Sequence, residues 1–259
     1  MHTKLTSNMS IVVSLLAVSQ LTAASSAAEW GSIKGRFVLD GAPPKLAPLV
    51  VTKDAYCIDK KPINESVIVG SDGGLANVVV YLRLPRGGKV EMHPDYPAQP
   101  TEAAVLDNNG CSFHPHITLV RAGQPLVIKN SDPVGHNTNI AVFAFNQTIP
   151  IGSETPLKTT RATPIPMPVV CNIHPWMKAH VLVQDHPYMA ASAEDGTFEI
   201  KNIPVGKHEF QMWHEGSGYM KNIKFKGGTA NRQGRATLTI AAGGTLDLGD
   251  IKVPTSLLK

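Results

Sequence analysis

From Trp30 onward the apolar and polar positions alternate in short runs broken by Gly and Pro, and no stretch carries the 3.6-residue repeat of an amphipathic helix. That pattern predicts an all-β chain. Residues 31–40 (GSIKGRFVLD) alternate and stop at Asp40-Gly41, where Pro43 and Pro44 lack the N–H that a ladder needs. A short run at 66–69 and the turn Ser71-Asp72-Gly73-Gly74 lead into 76–84 (ANVVVYLRL), whose β-branched density predicts a central strand. Residues 85–100 hold too many prolines to pair well and read as a surface excursion. Two strands are expected at 113–120 and 125–130 about the turn Arg121-Ala122-Gly123, and 140–145 carries the chain away. A long Pro- and Thr-rich loop is expected over 149–168, followed by short strands at 169–171 and 179–185. Residues 195–210 read as strand, turn, strand.

Composition adds a compartment and removes some partners. Lys4 precedes the apolar run 11–18, and Ser26-Ala27-Ala28 offers a small-x-small cleavage site, so residues 1–28 read as a signal peptide and the mature protein as periplasmic or secreted. The competing reading, a membrane anchor, needs about 20 mainly apolar residues, and Ser10, Ser14, Ser19 and Gln20 interrupt this run. No transmembrane segment is expected after signal removal. The net charge of +4 is spread without a block of like charge, which gives no footprint for nucleic acid.

The candidate chemistry lies in Cys171-Asn172-Ile173-His174-Pro175-Trp176-Met177. A thiolate, an imidazole and a thioether share one loop with two residues between successive donors, and two His with one Cys and a weak axial Met is the donor set of a blue-copper site. The missing second His is expected upstream at His136, in Ser131-Asp132-Pro133-Val134-Gly135-His136-Asn137. Cys-x-x-His-Pro-x-Met after an upstream His-Asn resembles the ligand pattern of the cupredoxins, with the short ligand loop of the amicyanin type. The continuation Lys178-Ala179-His180-Val181-Leu182-Val183 is similar to cupredoxin-like proteins linked to methylamine utilisation. The resemblance implies a Greek-key β-sandwich over 104–185 that binds one type 1 copper ion through His136, Cys171, His174 and Met177. It also implies an electron port at the outer edge of His174, with unidentified redox proteins as donor and acceptor. Pro133, Val134, Pro175 and Trp176 flank the ligands and could form an apolar collar for such a partner; alternatively Trp176 packs over the loop. Asn137 is expected to hydrogen-bond between the two ligand loops, or to be a plain turn residue.

The flanks resemble a carboxypeptidase-regulatory-like (transthyretin-like) sandwich, at Gly35 to Pro44 with Ala76 to Leu82, and again at Asp195 to Phe210. Segments 29–103 and 186–259 are therefore expected to pair as one accessory sandwich around the copper module, the alternative being two consecutive sandwiches. With Cys171 committed, Cys57 and Cys111 are left to form a disulfide in an oxidising compartment, to remain buried thiols, or, for Cys111 with His114 and His116, to hold a second metal. The remaining histidines, His180, His186, His208 and His214 among them, read as structural or solvent-facing. A non-enzymatic electron carrier is expected, with a copper carrier or store as the alternative. His114-Pro115-His116 is the one His-x-His, and there is no His-Cys-His run from which to build a multicopper oxidase.

Overall fold

The computed structural model describes Met1 and residues 29–258, so the expected signal peptide lies outside the described residues. In chain order β1 (Trp30–Asp40), α1 (Ala55–Lys60) and β2 (Val79–Arg83) come first. Then follow β3 (Ala104–Asn109), β4 (Ser112–His114), β5 (Ile117–Arg121), β6 (Pro125–Asn130), β7 (His136–Ile140), β8 (Phe145–Ile149), β9 (Glu154–Lys158), β10 (Met167–Val170) and β11 (Lys178–Gln184). The chain closes with β12 (Met189–Ala191), β13 (Thr197–Pro204), β14 (Gly206–His214), β15 (Gly218–Tyr219), β16 (Lys224–Phe225), β17 (Gly228–Thr229), β18 (Arg235–Ile240) and β19 (Thr245–Pro254). The protein is all-β, with two pairs of sheets and a separate two-stranded ribbon, β16-β17.

The first pair joins the two ends of the chain. β1 lies between β13, antiparallel, and β19, parallel. Facing it, β12, β2, β14 and β15 form a second sheet, with β18 also on β14. Between them pack Phe37, Leu75, Val80, Leu82, Phe210, Met212 and Ile251. The strand–turn–strand unit expected at 195–210 is present, but β13 and β14 do not pair with each other. The chain crosses between sheets at Val205-Gly206, where the glycine takes φ +122°.

The second pair consists of β5-β11-β10-β7-β8 and β4-β3-β6-β9 around Leu106, Phe113, Leu126, Ile128, Ile140, Val169 and Val181. Here the structure departs from the sequence expectations in three places. The single strand expected at 113–120 is two strands in different sheets, because Pro115 has no N–H to continue a ladder. The loop expected at 149–168 contains β9, whose alternating exposure marks an edge strand on β6. Residues 49–60, taken with the first sandwich in the sequence reading, leave it: Leu49, Val51, Tyr56 and Cys57 pack on this second core, and the six-residue α1 was not foreseen.

The two units meet through strands that are buried on both faces. In β2, Val80 and Leu82 point into the first core while Val79 and Tyr81 join Ile117, Leu182 and Trp213 in a third cluster between the units. This is why 76–84 reads as a continuous apolar run and not as an alternating one. At the opposite edge the turn after β5 is held from both sides. Arg121 Nη1 and Nη2 donate to the carbonyls of Pro97 and Ala98 (2.8 and 3.3 Å), and Gln124 Nε2 donates to that of Glu102 (3.0 Å). The Ala122 N–H donates to Gln184 O (2.8 Å) at the end of β11.

A buried histidine beside this junction makes stability depend on pH. His186 Nε2–H donates to Leu82 O (2.9 Å), while its Nδ1 accepts from the Tyr188 N–H (3.2 Å), so only the neutral ring satisfies both bonds. Burial pushes its pKa down to about 4, against the pull of the Leu82 carbonyl and with the help of Arg121. Since the folded value lies below the ordinary 6.5, this contribution is whole above pH 6.5 and is lost as the pH falls towards 4. About 2 kcal/mol should be gone by pH 5. In urea titrations at pH 7 and 5, His186→Gln should show a pH dependence smaller by that amount; equal pH dependence in the two proteins would refute the assignment.

Candidate metal centre

The upstream ligand segment follows from a tight turn. The Asn130 side-chain amide donates to Val134 O and Ile149 O (2.8 and 2.9 Å), and its Oδ1 accepts the Asp132 N–H (3.0 Å). This fixes 131–135 and delivers His136 at the first position of β7. On the other side β10 ends at Val170, and Cys171 to Met177 form a closed loop: the Cys171 N–H donates to Met177 O (3.3 Å) and the Met177 N–H to His174 O (2.9 Å).

These two loops bring three of the expected ligands together. His136, Cys171 and His174 are all buried, and one ligand atom of each lies within 4.8 Å of the others. His136 Nδ1 faces His174 Nδ1 at 2.9 Å, and Cys171 Sγ is 3.8 Å from His174 Nδ1. Met177, the fourth expected ligand, is buried at the end of the same loop.

Two aspartates that the sequence reading missed set the chemistry of the imidazoles. His136 Nε2 lies 2.8 Å from Asp132 Oδ2, and His174 Nε2 lies 2.7 Å from Asp54 Oδ2. A carboxylate accepts, so each Nε2 carries the proton and each Nδ1 presents a lone pair. Two lone pairs facing each other at 2.9 Å repel unless a proton or a cation lies between them. Metal bonds of about 2.0–2.3 Å to nitrogen and sulfur span ligand separations of about 3–4 Å, which the Nδ1–Nδ1 and Sγ–His174 Nδ1 separations match. The donor set therefore fits a first-row ion of the copper or zinc kind. Burial pushes the pKa of His136 below its ordinary value, with the Asp132 hydrogen bond acting against it. Asp132 is itself buried; its Oδ1 accepts from the Gly110 N–H (2.6 Å) and the Tyr56 hydroxyl (3.0 Å), and its Oδ2 also accepts from the Cys111 N–H (2.8 Å).

Sulfur and loops are cross-braced. The N–H groups of Asn137 and His174 each donate to Cys171 Sγ at 3.3 Å. Asn137 Oδ1 accepts the Asn172 N–H (3.1 Å) and its amide donates to Asn146 Oδ1 (2.9 Å), so this side chain spans both ligand loops.

The face over His174 differs from the sequence expectation. Its outer edge is covered, since the ring is fully buried and Asp54 caps Nε2. Asp54 is brought there by the Cys57–Cys111 disulfide, which joins α1 to the turn after β3. Of the four collar residues Pro133 and Pro175 are exposed and Val134 is half-buried. Trp176 is buried: its ring packs on His174 with centroids 4.9 Å apart, and its Nε1–H donates to Cys111 O (3.3 Å). It therefore belongs to the packing under the loop and not to an exposed surface. The disulfide also removes Cys111 as a metal ligand, and the exposed His114 stands apart from His116.

His116 has other neighbours. Its Nε2 is 2.7 Å from Glu215 Oε2 and its Nδ1 3.7 Å from Glu65 Oε2. Burial opposes its charge, but the hydrogen bond to Glu215 and the nearby Glu65 carboxylate outweigh burial and push its pKa up to about 9. Burial pushes His180, beside it, down to about 4.

No protein-family model matches the chain. No curated protein matches it either. The solved structures to which the chain is similar include variants of amicyanin. One is a reduced tryptophan-to-tyrosine variant, at 20% identity over 32% of this chain and 82% of that one, with a TM-score of 0.29. Another is a reduced Cu(I) proline-to-glycine variant, at 21% identity over 34% and 90%, also with a TM-score of 0.29. A third is an oxidised proline-to-glycine variant, at 18% identity over 38% and 100%, with the same TM-score.

Proposed function

We propose that residues 104–185 form a mononuclear type 1 copper domain, inserted into an accessory sandwich made by 29–103 and 186–259, and that the protein is exported and carries single electrons between redox proteins. His136, Cys171 and His174 would hold the ion, with Met177 as a weaker sulfur donor. The observation that carries this reading is the meeting of two imidazole Nδ1 atoms at 2.9 Å beside the Cys171 thiol, with each ring's other nitrogen held by a carboxylate.

Bound copper supplies a one-electron couple between +1 and +2. The chain's own residues do the rest. Asp132 and Asp54 fix the tautomer and tilt of the imidazoles, so the ligand geometry is held on both sides of the couple. The N–H groups of Asn137 and His174 withdraw charge from the Cys171 sulfur, a lever on the reduction potential. Leu106, Phe113, Val169 and Trp176 pack beneath and keep the centre dry. The Cys57–Cys111 disulfide suits an oxidising compartment, and among the described residues no helix is long and apolar enough to cross a membrane.

The test is the optical and EPR spectrum of the mature protein after Cu(II) addition. An intense thiolate-to-copper band with narrow hyperfine splitting is expected, and Cys171→Ala should abolish the band and weaken copper binding by more than about 100-fold. A colourless protein that retains Cu(I) would replace the electron carrier with a copper carrier or store; a protein that binds no copper would end both readings.

A further inference from the structure

A second group of ligands lies apart from Cys171, where the two sandwiches meet. His116 precedes β5, His180 stands on the adjacent β11, and the His180 N–H donates to His116 O (2.9 Å). Glu215 comes from the other sandwich, just beyond β14. One ligand atom of each of the three lies within 4.8 Å of the others. His180 Nδ1 is 3.8 Å and His116 Nε2 2.7 Å from Glu215 Oε2.

Hydrogen bonding leaves this cluster incomplete. Among the described residues neither His116 Nδ1 nor His180 Nδ1 has a partner, although both atoms are buried and His116 is only 8% exposed. A buried polar atom left unpaired costs about 1–3 kcal/mol, and here two such atoms border one pair of glutamates. Packing does not account for the arrangement. Val79, Tyr81, Ile117, Leu182 and Trp213 pack at the same junction, with the Trp213 ring 4.9 Å from that of His180, and the buried His214 lies beside the cluster.

We propose that His116, His180 and Glu215 form a second metal site, for a divalent first-row ion of the Zn²⁺ or Cu²⁺ kind, at the junction of the two sandwiches. Two imidazoles and one carboxylate form the three-ligand set of open zinc sites, which keep a further position for water or a small ligand. The affinity order of first-row ions favours copper and zinc over the harder divalent ions at nitrogen donors. A cavity of about 410 Å³ reaches His116 and Glu215 and is also lined by Glu65, Trp176, Met177 and Lys178. Glu65, whose Oε2 lies 3.7 Å from His116 Nδ1, is the group placed to position a ligand on the open side. The ion would also tie the units together, since its donors come from both.

This site does not depend on Cys171, and its test is built so that the copper reading can fail separately. Cys171→Ala protein, equilibrated with micromolar Zn²⁺ and desalted, should hold one zinc per chain by atomic emission and melt at a higher temperature with zinc than without. Adding His180→Gln, or the nearly isosteric Glu215→Gln, should weaken zinc binding by more than about 100-fold and abolish the thermal shift. Adding His136→Ala should change neither. Retention of zinc by a folded His180→Gln or Glu215→Gln variant would overturn the proposal, as would loss of zinc with His136→Ala. Absence of zinc from the Cys171→Ala protein would overturn it before any of those variants is made.

Discussion

Asp132→Ala should destabilise the protein by about 3–5 kcal/mol, a large share of the about 5–15 kcal/mol of a typical domain. The carboxylate is 1% exposed and accepts from four donors on three segments: the N–H groups of Gly110 and Cys111, the Tyr56 hydroxyl and His136 Nε2–H. Truncation leaves all four without that acceptor, while water has little access. It also frees the His136 ring to move its proton to Nδ1, which removes the lone pair needed by a metal. Copper affinity should fall by about 10–100-fold. Asp132→Asn keeps one acceptor oxygen and should lose less stability than Asp132→Ala. Urea unfolding of metal-free protein and competition with a copper chelator measure the two effects. A loss below about 1 kcal/mol for the alanine variant would mean that the four donors find other partners.

Removing the disulfide is the second large effect. The bond closes a loop with a sequence separation of 54, for which chain entropy gives about 4 kcal/mol. Cys57→Ala with Cys111→Ala, or reduction of the native protein, should lower stability by that order. The same change should loosen the centre: Asp54 sits three residues before Cys57, and its contact with His174 Nε2 closes the site on that side. Copper binding should weaken by about tenfold, and the His174 ring should become accessible, readable as faster exchange of its ring proton by NMR. Unchanged stability with unchanged copper affinity would show that 49–60 is held by packing alone.

The Cys171–Met177 loop stood out as a candidate because its possible donors lie within seven residues and their softness narrows the choice of ion. The strands with clear alternation were legible too, as at Trp30–Asp40 and Thr197–Pro204. What stayed hidden depended on segments far apart in sequence. Asp54 is an ordinary polar residue until the disulfide carries it onto His174. Asp132 had a weak signal, four residues before a candidate ligand in a turn. His116, His180 and Glu215 share no local pattern: His116 was grouped with Cys111 and His114, His180 read as structural or solvent-facing, and Glu215 gave no signal. The edge strand Glu154–Lys158 was missed because a Thr-Pro run with exposed alternate positions resembles a loop. The split of 113–120 turned on a proline whose sheet-switching role appears only when both sheets are present.

The grip on the turn after β5 has a consequence for how the chain assembles. Arg121 and Gln124 hold the stretch that enters the central module, and Ala122 holds the strand that leaves it, so the two ends of 102–184 meet at one point. Strands β1 and β19 can pair only after nearly the whole polypeptide has been synthesised. Once the central module has collapsed, its residues drop out of that search, which lowers the entropic cost of closure by about 0.5 kcal/mol. The nucleus of the whole molecule should then be the inserted module, with the outer sandwich closing around it last.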